Sequence, residues 1–439
     1  MTENTHLGVN EQDHLVIGGC DTTELAATYG TPLYVMDEMA IRENIRMYRD
    51  AMTRYYEGQG MVLYASKAFC STALCRIAHQ EGIGLDVVSG GEIQTALAAG
   101  FPMDRVWFHG NNKTPEELAL ALTCGIGRIV VDNLEELALL DRIAAEHGRQ
   151  IEISVRVKPG VDAHTHDFIR TGSIDSKFGV ALENGEALRF AEQTLKMPHI
   201  TLMGIHCHIG SQIFDLAPFE LTAEVMLGFA AEVRDKLGIE IRELNLGGGF
   251  GIKYTPTDDP VAYDRYIQSV SRVVNRVCRE KGLKRPFMIM EPGRSIVASA
   301  GLTLYRVGNV KQIEDVRTYV AVDGGMFDNP RYALYQSKYS FHLANRMRAQ
   351  ADQVVTVAGK CCESGDLLGR DVPLPKAQPG DLMAVLATGA YNYSMSSNYN
   401  RNPRPAVVLV RDGRHRVIVR RETLTDLIRN DVIPDDLEA

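Results

Sequence analysis

Lys67 directly follows the apolar run VLYAS at 62–66. The ordinary reading of such a lysine is a surface loop that begins where a strand ends. Four further clusters along the chain carry residue types able to do chemistry: HCHIGS at 206–211, GGGFG at 247–251, EPGR at 291–294 and CCESGD at 361–366. GGGFG lacks the spacing of a nucleotide fingerprint. It reads either as a tight turn or as a loop whose backbone N–H groups approach an anion. EPGR adds a carboxylate, a glycine that opens the backbone, and an arginine able to pair with phosphate or carboxylate. Strand alternation would put His206 and His208 on one face. They read as a metal pair, as polar residues at a cavity mouth, or as a plate stacked on a planar cofactor. No acid-rich or cysteine-rich set stands beside them to complete a metal site, and the nearby His164 and His166 fall in a loop pattern. No metal is expected.

A phosphate-binding loop, an available lysine and an acid near a planar ring together suggest pyridoxal 5′-phosphate. That cofactor needs an imine-forming lysine, a partner for its pyridinium nitrogen and a phosphate cradle. Glu291 is the candidate nitrogen partner and Lys67 the candidate lysine, in a partly desolvated, cationic pocket that would activate its amine.

These residues need elements to place them. Short β-branched segments recur at 61–66, 83–89, 105–110, 128–133, 151–157, 200–210, 241–249 and 285–293, separated by helical patterns that often end in glycine. Eight strand–helix units predict a (β/α)8 barrel of the TIM type, with a doubly wound sheet as the alternative. In a barrel the catalytic residues gather at the C-terminal strand ends. Lys67, Asp86, His109, Arg156, HCHIGS, GGGFG and EPGR all fall there. Beyond about residue 300 the pattern becomes short strands and tight turns, which predicts a mostly β domain. The expected layout is 1–37 contributing to the β domain, 38–300 as the barrel and 301–439 as the β domain.

Bulk properties exclude several classes. A net charge of -9 over 439 residues, with no Lys/Arg cluster, argues against a nucleic-acid binder. No apolar window is long enough to span a membrane. The polar start MTENTHLGVNEQ lacks a secretory pattern, and the eight cysteines show no framework, so a cytoplasmic protein with reduced thiols is expected.

YASKAF, HCHIGSQ, LNLGGGFG, EPGRSIV, VDGGMFDNPRYALY, CCESGD and TGAYNYSMSSNYN follow one another along the chain. With them, the sequence resembles the fold-type III pyridoxal-phosphate decarboxylases over nearly its full length, in the branch that acts on diaminopimelate. The resemblance implies that Lys67 anchors the cofactor covalently, that His208 stacks on its ring, and that Glu291 pairs with its nitrogen. It assigns phosphate contacts to Ser211, Gly248, Gly249 and the backbone of Glu291, Pro292, Gly293 and Arg294. Arg294, Arg331 and Tyr335 are implied to meet the substrate carboxylates, and Tyr391 both phosphate and substrate. Cys362, aligned with the family's Cys-Glu-Ser-x-Asp motif, is the implied proton donor, and Glu363 holds the distal ammonium. Cys361 does not align. Read from the residues alone, the adjacent cysteines would be a buried strand residue beside a solvent-facing one. The implied reaction is decarboxylation of meso-2,6-diaminopimelate to L-lysine and CO2, in a homodimer with shared active sites. Decarboxylation of another diamino acid of ornithine or arginine type, an amino-acid racemase and a noncatalytic pyridoxal-phosphate carrier remain as alternatives. Asp86 and Arg156 could order the cofactor surroundings or pair with each other.

Overall fold

The computed structural model describes residues 6–161 and 176–437, so His164 and His166 lie outside the described residues. The chain divides into two compact units. One comprises 42–252 and 259–296; the other comprises 1–41, 253–258 and 297–439.

In the first unit eight parallel strands close on themselves: Gly60–Ala65, Gly84–Val87, Val106–Phe108, Arg128–Val131, Ile151–Lys158, Ile200–His206, Glu243–Asn245 and Phe287–Met290. Closure is sealed where Met288, Ile289 and Met290 pair with Gly60, Met61 and Val62. This is the barrel that the strand count predicts, and it excludes the open doubly wound sheet. Each observed strand is shorter than, or close to, its apolar run, because the run continues into the loop that carries the functional residues. Ser71, Ser89, Thr114 and Asn133 each cap the following helix by accepting an N–H bond from the third helical residue. Such caps satisfy donors that a helix start would otherwise leave unpaired, and they stop the loops sharply at the barrel rim.

The barrel interior is filled rather than hollow. Leu63, Trp107, Val130 and Ile289 form a buried cluster, with Met61 and Phe287 against it. At the N-terminal mouth Arg128 reaches Glu243 through two bonds, Nε to Oε2 at 2.9 Å and Nη2 to Oε1 at 2.7 Å. The forked geometry joins the fourth strand to the seventh, and the guanidinium also lies 5.8 Å from the Trp107 ring centroid.

The second unit is mostly β. Its main sheet runs Leu367–Leu374, Gln353–Ala358, Arg317–Val322, Gly301–Ile313, Leu33–Asp37, Ala406–Arg411, Arg414–Val419. The early strand Leu33–Asp37 thus lies inside a sheet otherwise built from the last third of the chain, antiparallel to 301–304 and parallel to 406–410. Leu15, Ile17, Leu33, Val35, Leu302, Leu304, Val408 and Val410 share one buried cluster that fixes this placement. Strands Phe341–Leu343 and Leu367–Leu374 were not anticipated from the sequence. Part of FDNPRYALYQSKY, which could read as an aromatic strand, is instead the short helix Arg331–Tyr335.

Arg128→Met leaves the Glu243 carboxylate buried without its cation, and should lower the unfolding free energy by about 3–5 kcal/mol. Adding Glu243→Leu should restore most of that loss. Urea denaturation measures both, and an unchanged midpoint in the single variant would show that the pair does not hold the barrel floor.

Candidate active site

The eighth strand delivers Glu291 to the barrel rim, where the side chain is buried. Asn245, at the end of the seventh strand, donates Nδ2–H to Glu291 Oε1 at 2.6 Å. His206, at the end of the sixth, bonds Oε2 through Nε2 at 3.2 Å. His109, just past the third, brings its Nε2 to 2.8 Å from Oε1. Burial by itself would push the Glu291 carboxyl up, but His109 and His206 outweigh it and hold it well below the usual carboxylate range. His206 is pushed down to about 3 by burial, against the pull of Glu291. The state consistent with the geometry is an ionised Glu291 and a neutral His206 donating from Nε2, its buried Nδ1 having no hydrogen-bond partner among the described residues.

His109, His206 and Glu291 present ligand atoms within 4.8 Å of one another. The tertiary structure therefore supplies the acid that no sequence neighbour offered the histidines. His206 and Asn245 already hydrogen-bond the carboxylate, while His109 Nε2 stands 2.8 Å from Oε1 without hydrogen-bond geometry. This arrangement suits an anion held for a cationic ring nitrogen.

The strand carrying His206 ends at that residue, so the alternation expected to align His208 with it stops one step early. His208 is half-buried, and its Nδ1 lies 3.4 Å from the Gly248 N–H. Its pKa is held well below the usual value by burial and then by the positive charges of Lys67 and Arg156. Lys67 sits in the turn Ser66–Ala68 after the first strand and is exposed. Among the described residues of the single chain, its side chain is thus not desolvated as expected. Behind it, the single Ser66 hydroxyl proton is shared between the Asp86 carbonyl at 2.8 Å and Glu92 Oε2 at 2.9 Å, anchoring the turn that presents the lysine.

Two glycines are dictated by the packing. A Cβ on Gly248 would stand 2.1 Å from the Glu291 carbonyl oxygen, and one on Gly249, at φ +103°, 2.3 Å from that of Gly210. The loop must therefore be bare backbone there. EPGR is stitched into the rim by Glu291 N–H to Gly247 O at 2.7 Å and Ala65 N–H to Pro292 O at 3.2 Å. Gly293 packs on Ala65, and Arg294 Nη2 donates to Ser211 Oγ at 2.8 Å. Lys67, His208, Ser211, Gly248, Gly249, Glu291, Pro292, Gly293 and Arg294 are thus all rim residues of the barrel unit. Asp86 and Arg156 are buried at the same rim, yet no ion pair joins them; Asp86 lies 3.8 Å from His109 Nε2 instead. The role of Asn245 escaped the sequence reading, although its place directly before the glycine loop was a usable signal.

The remaining predicted residues belong to the β unit. The buried Arg331 guanidinium lies 5.3 Å from the Tyr335 ring centroid and 5.4 Å from that of Tyr391, and its Nε donates to Tyr339 Oη at 2.9 Å. Arg331, Tyr335 and Tyr391 therefore form one cluster. Cys361 and Cys362 lie in a turn, not a strand. Cys361 is half-buried and its thiol is pushed up to about 12 by burial and by Asp366; Cys362 and Glu363 are exposed.

Residues 38–298 match the family model described as the pyridoxal binding domain of pyridoxal-dependent decarboxylases. The chain belongs to that family. It is 52% identical over 423 residues to the diaminopimelate decarboxylase of Bacillus subtilis (strain 168), covering 96% of each chain. It is 45% identical to that of Synechocystis sp., covering 98% of this chain and 92% of the other. A crystal structure of the M. jannaschii diaminopimelate decarboxylase in co-complex with L-lysine superimposes with a TM-score of 0.93, at 36% identity and 100% coverage of both chains. Pyridoxal 5′-phosphate is the cofactor of this decarboxylase family. The rim fits it: a glycine loop that tolerates no Cβ, a lysine open to a ligand, and a buried ionised carboxylate.

His206 takes up its proton near pH 3 when folded, but near 6.5 when unfolded. Its folded pKa is depressed, so below pH 6.5 the unfolded chain binds a proton that the folded chain does not. Stability falls as the pH drops. Between pH 7 and 5 this group should cost about 2 kcal/mol. His206→Gln should remove that increment from the pH dependence seen in denaturant melts. An equally steep dependence in the variant would assign the slope to other groups.

Proposed function

We propose that the protein decarboxylates meso-2,6-diaminopimelate to L-lysine and CO2, the closing reaction of lysine biosynthesis. The observation that carries this is the rim itself, a lysine, a glycine cradle and a buried carboxylate on a barrel, in a chain so similar to diaminopimelate decarboxylases. When bound, pyridoxal 5′-phosphate supplies an electron sink for the pair left as CO2 departs. The ionised Glu291 would serve as the partner of the ring nitrogen and favour its protonated form. His208 would offer its imidazole face to the ring. Gly248, Gly249, Ser211 and the Glu291–Arg294 backbone would hold its phosphate, and Lys67 Nζ would supply the amine that anchors it.

In the reaction the Cα–carboxylate bond breaks, CO2 leaves, and a proton takes its place on Cα. Cys362 supplies that proton from Sγ; its exposure, against the half-buried, poorly acidic Cys361, supports this assignment. Arg294, Arg331, Tyr335 and Tyr391 bind the carboxylate groups, and Glu363 takes the distal ammonium. Recognition of these distal charges favours diaminopimelate over ornithine or arginine, since an analogue lacking one leaves a site group without its partner.

Cys362, Glu363, Ser364 and Gly365 are all exposed in the single chain, which supports a homodimer in which this loop serves the neighbouring subunit. Eight free cysteines support a reducing, cytoplasmic setting.

The test is CO2 release by the cofactor-loaded enzyme from meso-diaminopimelate, L-ornithine, L-arginine and L-lysine in parallel. Release from meso-diaminopimelate alone is expected, and release from another amino acid would overturn the specificity. Lys67→Ala should abolish the visible absorbance of bound cofactor. Cys362→Ala should cut kcat by about 10²-fold or more, with little effect from Cys361→Ala. Equal effects of the two would reject Cys362 as the donor.

A further inference from the structure

Within the β unit, the turn that carries Cys362 is held by side-chain oxygens on two consecutive amides. Cys361 N–H donates to Asp366 Oδ2 at 2.6 Å, and Cys362 N–H donates to Asn400 Oδ1 at 2.7 Å. Asp366 is part of the turn itself. Asn400 comes from far along the chain, at the end of the 388–400 segment, and is the residue that ties the Cys362 turn to the rest of the unit at this amide.

The backbone around Asn400 is unusual. Asn400 and Arg401 have φ of 52° and 55°, two successive non-glycine residues in the left-handed region. Asparagine tolerates that conformation, whereas arginine is uncommon there. Such a geometry persists only where its surroundings impose it. Here Arg401 donates to the Leu427 carbonyl and pairs with Asp431 at 2.8 Å. On the preceding side, Asn398 Nδ2 donates to Glu422 Oε2 at 2.6 Å, and Arg404 N–H bonds the same carboxylate oxygen at 2.9 Å. The C-terminal segment from Glu422 to Asp431 thus clamps the 398–404 turn, and the turn presents Asn400 Oδ1 to the Cys362 amide. Asn402 reinforces it, with Nδ2 3.8 Å from Cys361 Sγ.

We propose that Asn400 is a positioning residue for the reaction, fixing the Cys362 turn so that the thiol meets Cα, with the clamped C-terminal segment as its support. The proposal rests on the reading of Cys362 as proton donor. A donor that is present but loosely held leaves bond breaking intact and makes protonation at Cα unfaithful. The lysine formed per CO2 released would then fall below one: a proton delivered elsewhere than Cα would leave the Cα–nitrogen double bond, water would hydrolyse it, supplying the oxygen of an aldehyde, and the substrate nitrogen would stay with the cofactor as an amine. A general loss of fold or of cofactor lowers CO2 and lysine together and leaves their ratio at one.

The experiment uses the cofactor-loaded enzyme and four variants: Asn400→Gly, Asn400→Asp, Cys362→Ala and Asn400→Gly/Cys362→Ala. Glycine accepts the left-handed backbone and deletes only the acceptor; aspartate keeps the acceptor. Asn400→Gly should lower kcat about tenfold or more with KM within about twofold, and lower the lysine-to-CO2 ratio. Asn400→Asp should retain most of both. The double variant should match Cys362→Ala, since two residues acting through one group do not add. Should Asn400→Gly keep the wild-type rate and ratio while Cys362→Ala loses them, the positioning role fails and the donor reading stands. Additive losses in the double variant would also reject it, because Asn400 would then act elsewhere. A ratio of one in Cys362→Ala would overturn the donor reading, and the positioning role with it.

Discussion

The barrel rim depends on one buried carboxylate. Glu291 sits where water is excluded, and a charge in that position persists only if partners from other elements compensate its lost hydration. Three strand ends do so, through His109, His206 and Asn245. Each partner must arrive at the right height on its own strand, so the carboxylate sets the register in which the third, sixth, seventh and eighth strands meet the mouth. The glycine loop follows from the same constraint. Gly248 packs so tightly on the Glu291 carbonyl that no side chain fits between the seventh and eighth strand ends.

The distribution of charge at the rim has a chemical consequence. With Glu291 ionised and His206 neutral, the carboxylate carries its negative charge at the rim with Asn245 and His206 bonded to it. Burial and the charges of Lys67 and Arg156 discourage His208 from taking a proton, so it offers a neutral ring face. In the β unit the two adjacent cysteines diverge by the same physics. Burial and Asp366 suppress ionisation of Cys361, while Cys362, one residue on, faces solvent with its amide held by Asn400.

Much of this was legible along the chain. Eight β-branched runs separated by helical patterns identified a barrel, since each signal is local: alternation of strand and helix, and glycine at helix ends. Lys67, HCHIGS, GGGFG and EPGR announced the rim because functional residues follow strands directly in this architecture. Less legible were features set by distant partners. His206 and His208 looked like equivalent members of one strand face, yet the strand ends at His206, and the first bonds Glu291 while the second meets the Gly248 amide. Asn245 looked like the tail of a strand, and its bond to Glu291 spans 46 positions. Arg331 was visible as a motif residue, but its nesting among Tyr335, Tyr339 and Tyr391 depends on a short helix where a strand was conceivable.

The sequence by itself determined the elements, the barrel and the identity of most rim residues, because propensity, capping and glycine placement act over a few positions. Only the tertiary structure decided which charges face one another. It surrounded Glu291 with His109, His206 and Asn245, kept Asp86 and Arg156 from pairing, and turned Cys362 outward while Cys361 became half-buried. Those outcomes depend on burial and on distances between residues remote in the chain, and electrostatics in a dehydrated site is governed by just these two quantities.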